Sequence, residues 1–128
     1  MKVFKQLFLL SLLFVTVFAA CKKDDKNDAP SASSHKVTFK VEWSANATIH
    51  YVTYVVNGTE TSKTNITGTS WSTEITTPAD ARYVMLLSAG QSESAAATLK
   101  AQIYVDGKLV KESPATGQIL TTQATHTF

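Results

Sequence analysis

The chain has 128 residues, with 12 Lys or Arg and 10 Asp or Glu, so its formal net charge is +2. Two of the lysines, Lys2 and Lys5, precede an uncharged apolar run that ends at residue 20, and beyond it the basic and acidic residues balance at ten each. A neutral remainder without a basic cluster argues against nucleic acid as a partner, because that affinity depends on neutralising phosphates.

The first twenty residues have the three parts of a secretory signal. Lys2 and Lys5 form the basic start, residues 6–20 carry no charge and are dense in Leu and Phe, and small residues close the run. Its apolar part is about 13 residues long, whereas a membrane-spanning helix needs ~20. We therefore predict that residues 1–20 are a signal peptide rather than a transmembrane anchor.

The end of this run, Phe18-Ala19-Ala20-Cys21, resembles the lipobox of bacterial lipoproteins. The resemblance implies that the Cys21 thiol carries a diacylglycerol in thioether linkage and that cleavage before Cys21 frees its amine for a third acyl chain. Phe18 departs from the Leu that is usual at its position. Cys21 is the only cysteine in the sequence, so an internal disulfide is impossible. Lipid attachment is therefore its predicted role.

Residues 21–35 are predicted to form a lipidated, disordered linker. Residues 22–34 are polar, lack aromatic side chains and end in Pro and Ser, a composition that does not support a packed core. The segment Lys22-Lys23-Asp24-Asp25 resembles the export signal of surface lipoproteins in the Bacteroidota. This resemblance implies an outer-membrane location with display on the cell surface, and retention facing the periplasm is the alternative.

Residues 36–128 are predicted to form one small all-β domain. They are rich in Thr, Val, Ile, Ser and Tyr, and no window keeps apolar residues at helical spacing. In chain order, short alternating or apolar runs predict strands at residues 37–43, 48–56, 70–76, 83–89, 98–105, 108–111 and 118–127. Asp106-Gly107 predicts a two-residue hairpin turn, and Asn57-Gly58 is a second turn signal. The spacing predicts an antiparallel, immunoglobulin-like β-sandwich of about seven strands, with a closed barrel as the alternative.

Several segments of this domain together resemble the MmpS-like domain family. They are Trp43, Ile49-His50-Tyr51, Asn57-Gly58, Trp71-Ser72-Thr73, and residues 103–113 followed by Gly117. The family is named after small mycobacterial membrane proteins that accompany lipid-exporting transporters of the RND type. The resemblance implies an accessory subunit of an RND-type lipid or efflux transporter. Ser70 stands where the family usually has Pro, and the Cys pair and transmembrane helix of the mycobacterial members are missing. The resemblance therefore supports the fold of the family more strongly than its partnership with a transporter.

The sequence contains no recognisable catalytic constellation. His35, His50 and His126 lack the spacing of metal ligands, and neither a glycine-rich phosphate loop nor a nucleophile elbow occurs. We therefore predict no enzymatic activity, no metal and no cofactor. Two tyrosines, Tyr54 and Tyr104, are the candidate binding surface, because strand alternation allows both to face outward.

These features together predict a lipid-anchored lipoprotein of the cell envelope. Its β-sandwich would be a non-catalytic binding or accessory module, with the membrane contacted through the lipid on Cys21. The partner of the domain would be an envelope protein or a glycan, since exposed tyrosines suit both.

Overall fold

The computed structural model describes residues 33–128. The predicted signal peptide, the lipid site at Cys21 and the predicted linker up to residue 32 lie outside the described residues. Within them the chain forms eight strands: β1 (Lys36–Trp43), β2 (Ala47–Val56), β3 (Thr59–Thr64), β4 (Ser70–Thr76), β5 (Tyr83–Ser92), β6 (Thr98–Val105), β7 (Lys108–Thr116) and β8 (Ile119–Thr127).

The strands form two four-stranded antiparallel sheets. Sheet A has the order β4-β1-β6-β7 and sheet B the order β3-β2-β5-β8. The predicted all-β antiparallel β-sandwich is confirmed, with β1 inside its sheet, whereas the immunoglobulin order has its first strand at an edge. The additional strand is β3, whose sequence Thr-Glu-Thr-Ser-Lys-Thr has no apolar residue and pairs only with β2 at the edge.

The core lies between the sheets and follows the alternation of each strand. Every odd-numbered residue of β1 from Val37 to Trp43 is buried, and the even-numbered ones are not. β5 and β8 contribute even-numbered residues in the same way. Burying one large aliphatic or aromatic side chain contributes about 1.5–3 kcal/mol. The buried apolar residues are Val37, Phe39, Val41, Trp43, Ile49, Val52, Val84, Leu86, Ala97, Leu99, Ala101, Ile103, Leu120 and Ala124.

The domain consists of two halves that repeat one arrangement at an offset of 49 residues. The offset relates the two hairpin turns, Asn57-Gly58 and Asp106-Gly107, and all four of these residues have positive φ. In the first half, β1 and β4 lie in sheet A and the β2–β3 hairpin in sheet B; in the second half, β5 and β8 lie in sheet B and the β6–β7 hairpin in sheet A. Each sheet therefore takes two strands from each half.

In each hairpin turn, the side chain of the first turn residue accepts hydrogen bonds from the residues with which the other half begins. The Asn57 Oδ1 accepts hydrogen bonds from the backbone N–H groups of Arg82 and Tyr83, at 2.7 and 3.3 Å. The Asp106 Oδ1 accepts one from the N–H of Lys36 at 3.0 Å, and its Oδ2 accepts one from the His35 ring at 2.8 Å. Asn and Asp tolerate the positive φ of these positions, and their short side chains reach backbone donors nearby.

His35, which the sequence assigned to the linker, is packed on the sandwich. Its backbone N–H donates to the Thr77 hydroxyl at 2.9 Å, and its carbonyl accepts from the Thr77 N–H at 2.8 Å. The imidazole stacks on the ring of Phe128 with centroids 4.9 Å apart. His35, one residue ahead of β1, is therefore part of the packed sandwich.

Replacing Asp106 by Asn is expected to remove an acid-sensitive part of the folding free energy. Hydrogen bonds from the His35 ring and from the Lys36 N–H hold the pKa of Asp106 below its usual value. A carboxylate with a lowered folded-state pKa stabilises the fold above its unfolded pKa of ~3.9, and this stabilisation is lost as pH falls through the folded pKa. In urea unfolding, wild type and Asp106→Asn should differ above about pH 5 and converge as the solution is acidified below that range.

The control is Asp80→Asn, because the Asp80 carboxylate has no hydrogen-bond partner among residues 33–128. Its effect on the free energy of unfolding should be small, because no side-chain hydrogen bond is lost. A constant difference between wild type and Asp106→Asn across the acid range would contradict the prediction.

Candidate functional site

Of the residues that the sequence singled out, Cys21 lies outside the described residues and Tyr54 lies inside the sandwich. The Tyr54 ring stacks on Phe39 of sheet A with centroids 5.0 Å apart, and Trp71 follows at 6.3 Å. Tyr54 therefore bridges the two sheets, contrary to the expectation that it faces outward.

A β-bulge in β2 is the reason for this difference. The register of β2 against β5 shifts between Ile49 and Tyr51, which leaves His50 as the extra residue. Before the bulge the odd-numbered Ile49 faces the core, and after it the even-numbered Val52, Tyr54 and Val56 do. One inserted residue reverses the side of the sheet that every later residue of the strand faces. A prediction of uninterrupted alternation from residue 48 to 56 therefore puts Tyr54 on the wrong side.

Tyr104 faces outward from sheet A, away from the interior of the sandwich in which Tyr54 lies. It lies on β6 between Thr38 of β1 and Leu109 of β7, and it is half-buried. The surface around it is charged and internally paired, with the Lys40 ammonium 2.5 Å from the Glu42 carboxylate. The two predicted tyrosines therefore do not share a surface.

The outer face of sheet B is different in character. We use this name for these outward residues of β2 and β5, the two inner strands, and of the edge strand β8: Thr48, His50, Tyr51, Thr53 and Val55 of β2, Met85, Leu87, Ala89 and Gln91 of β5, and Ile119, Thr121, Gln123 and Thr125 of β8. None of these is Asp, Glu, Lys or Arg. Tyr51 and Ile119 are its most exposed large apolar residues, at 38% and 83%. This face combines an aromatic ring and aliphatic groups with hydroxyl and amide side chains.

Two residues on the inner side of β5 support the bulge that shapes this face. Gly90 lies opposite Ile49, and a Cβ at Gly90 would collide with the Thr48 carbonyl oxygen and come within 2.7 Å of the Ile49 Cδ1. The buried Ser88 hydroxyl donates a hydrogen bond to the Tyr51 carbonyl at 3.0 Å. The bulge leaves His50 and Tyr51 as two consecutive exposed residues, which is a common use of bulges at binding sites.

A cleft of about 770 Å³ lies at one end of the outer face of sheet B. Its lining residues are Asn46, Thr48, Gln91, Ser92, Glu93, Ser94, Gln118 and Ile119. Internal bonds fix its walls: the Ser92 hydroxyl donates to the Asn46 carbonyl at 2.7 Å, and the Gln118 amide donates to the Glu93 carbonyl at 2.9 Å. Within residues 33–128 the side-chain amides of Asn46 and Gln91 have no protein partner, so they remain available to a ligand.

The histidines do not converge on a shared centre. His50 lies at the bulge, whereas His35 and His126 flank Phe128, with ring centroids 4.9 and 5.1 Å from its own. No group of three or more His, Cys, Asp or Glu within the described part of the chain is placed to hold a metal ion. Over the same residues, no helix is long and apolar enough to cross a membrane.

No protein-family model matches the chain, and a search of curated proteins found no significant match. The resemblance to the MmpS-like domain, together with the transporter partnership that it implies, therefore stays a prediction.

Proposed function

We propose that the protein is a bacterial envelope lipoprotein, anchored through Cys21 in the outer membrane, whose β-sandwich is a non-catalytic binding module. The observation that supports a binding role is the outer face of sheet B, where the bulge exposes Tyr51 beside a cleft with unpaired amides. Such a combination of apolar surface with a few directional polar groups is typical of ligand sites.

The contents of the cleft favour binding over turnover. Its only titratable side chain is Glu93, and the other polar residues are amides and hydroxyls. Glycoside hydrolysis by the common mechanism needs two carboxylates flanking the scissile bond, and nucleophilic catalysis needs a base beside the nucleophile. The cleft residues supply neither arrangement.

The short predicted linker suits a module that works close to its membrane. Thirteen residues, 22–34, separate Cys21 from His35, where the packed domain begins. At ~3.3 Å per residue, the reach of this segment is at most about 45 Å. Two or three acyl chains at ~0.8 kcal/mol per buried CH₂ make the anchor effectively permanent.

Replacing Cys21 by Ser is expected to abolish lipidation completely. Cells fed an alkyne fatty acid should label the wild-type protein, whereas Cys21→Ser should carry no label and leave the membrane fraction. The matched control is Phe18→Leu, which restores the residue usual at that lipobox position and should keep the label. Labelled Cys21→Ser protein would contradict the proposal.

The same labelled cells can test surface display. Protease added to intact cells should remove the domain together with a known surface protein. A domain that survives while the surface protein is digested would place the module on the periplasmic side.

A further inference from the structure

We propose that the outer face of sheet B binds an uncharged saccharide, seated on Tyr51 and reaching into the adjacent cleft. This inference rests on the proposed binding function and names its ligand class. It combines three independent features of the face: its side-chain chemistry, its lack of cationic charge and the bulge that shapes it.

The side-chain chemistry matches a sugar ring. One face of a pyranose is lined by C–H groups and packs on an aromatic ring, while its hydroxyls pair with amides that both donate and accept. Tyr51 supplies the ring, and Gln91 and Asn46 supply the amides. Tyr51 pairs with Ala89, and Gln91 lies two residues further along β5, about 7 Å away at strand spacing. One saccharide chain can therefore contact both.

The charges of the surface select against an anionic ligand. The outer face of sheet B has no Lys or Arg, and its margins carry two carboxylates, Glu60 on β3 and Glu93 in the cleft. A polyanion would be repelled by these groups and would find no cation to pair with. The outer surface of sheet A, in contrast, carries Lys36, Lys40 and Lys100, of which Lys36 and Lys40 are paired with Glu74 and Glu42.

The bulge indicates that Tyr51 is held on this face by particular residues of the neighbouring strand. Ser88 and Gly90 follow Val84 and Leu86 in the inward row of β5, at two buried positions where apolar side chains would add contacts to the core. What these two residues provide is space for the bulge and a hydrogen bond to the Tyr51 carbonyl. Without the bulge, unbroken alternation would turn Tyr51 toward the core and Tyr54 outward.

The test is affinity gel electrophoresis of the intact lipidated chain in detergent. The gels would contain dextran, mannan, xylan or a mixed-linkage β-glucan as neutral probes, and polygalacturonate as the anionic probe. At least one neutral polymer should retard the protein, and polygalacturonate should not. Tyr51→Ala and Gln91→Ala should each weaken retardation, roughly tenfold for the loss of one well-placed contact. Tyr104→Ala, the matched tyrosine on the other sheet, should leave it unchanged.

Thermal melting of each variant shows whether the fold is intact, and Gln91→Ala decides the matter if Tyr51→Ala unfolds. Retardation by none of the neutral polymers would overturn the inference, as would full binding by both variants or loss of binding in Tyr104→Ala. A dimer that Tyr51→Ala converts to a monomer, without saccharide binding, would also overturn it and assign the face to a second copy. A labelled, membrane-bound protein that binds no saccharide refutes this inference alone, whereas an unlabelled one refutes the proposed anchor.

Discussion

Replacing Gly90 by Val is expected to destabilise the domain by about 3 kcal/mol or more, at the upper end of what overpacking a core costs. Gly90 is a buried residue of β5 that faces the bulge of β2. Any Cβ there would collide with the Thr48 carbonyl oxygen and lie 3.2 Å from the Ile49 Cα. These are backbone atoms, so the clash cannot be relieved by rotating a side chain. The strand itself must move, and the bulge must change with it.

The measurement is urea unfolding followed by the fluorescence of Trp43 and Trp71. Ala89→Val is the matched control, because Ala89 is the adjacent residue of the same strand and faces outward. Its free energy of unfolding should change by no more than about 0.5 kcal/mol, as is usual for surface substitutions. Equal stability of the Gly90 and Ala89 variants would show that β2 is not held tightly against β5.

Replacing Phe39 by Ala is expected to lower the free energy of unfolding by about 3–5 kcal/mol. Phe39 is fully buried in the middle of β1 and stacks on Tyr54 across the sandwich. Its removal leaves a cavity between the sheets and takes away the main aromatic partner of Tyr54. Since small domains are stable by only about 5–15 kcal/mol, much of the total would be lost.

For a domain of this size, a loss of 3 kcal/mol lowers the melting temperature by roughly 12 °C or more. Calorimetry of Phe39→Ala and Tyr104→Ala provides the comparison, because Tyr104 is an aromatic residue of the same sheet that faces outward. Its melting temperature should fall much less. Equal decreases would mean that the stacking between the sheets contributes little beyond what any aromatic side chain of sheet A contributes.

The strand predicted at residues 98–105 agrees with β6, because its alternation is strong and Asp106-Gly107 marks its end. The weaker run at residues 70–76 also agrees with β4. β3 was missed since an edge strand without a buried face needs no apolar residue, and its pairing with β2 follows from the Asn57-Gly58 turn. The prediction for β5 ended at residue 89, one residue before Gly90, although the strand continues to Ser92.

The candidate site was harder to predict, because its residues come from distant parts of the chain. Asn46, Gln91 and Ile119 meet only through the pairing of β2, β5 and β8. A local signal was nevertheless present in Gly90, since a glycine inside a strand often marks a bulge or a close backbone approach. Ser88, directly after the apolar and aromatic residues 83–87, is a second signal. Neither identifies the bulged partner strand, and without that partner the orientation of Tyr51 and Tyr54 cannot be derived.

The interleaving of the two halves also determines when this domain can fold. The inner pairs of both sheets, β1 with β6 and β2 with β5, join residues from opposite halves. β8 in turn completes sheet B with Leu120 and Ala124. Such long-range pairing makes folding slow, on the order of milliseconds to seconds. Neither half supplies both inner strands of a sheet, so we expect a nascent chain that still lacks β8 to remain unfolded, as the proposed export through a secretion channel would require.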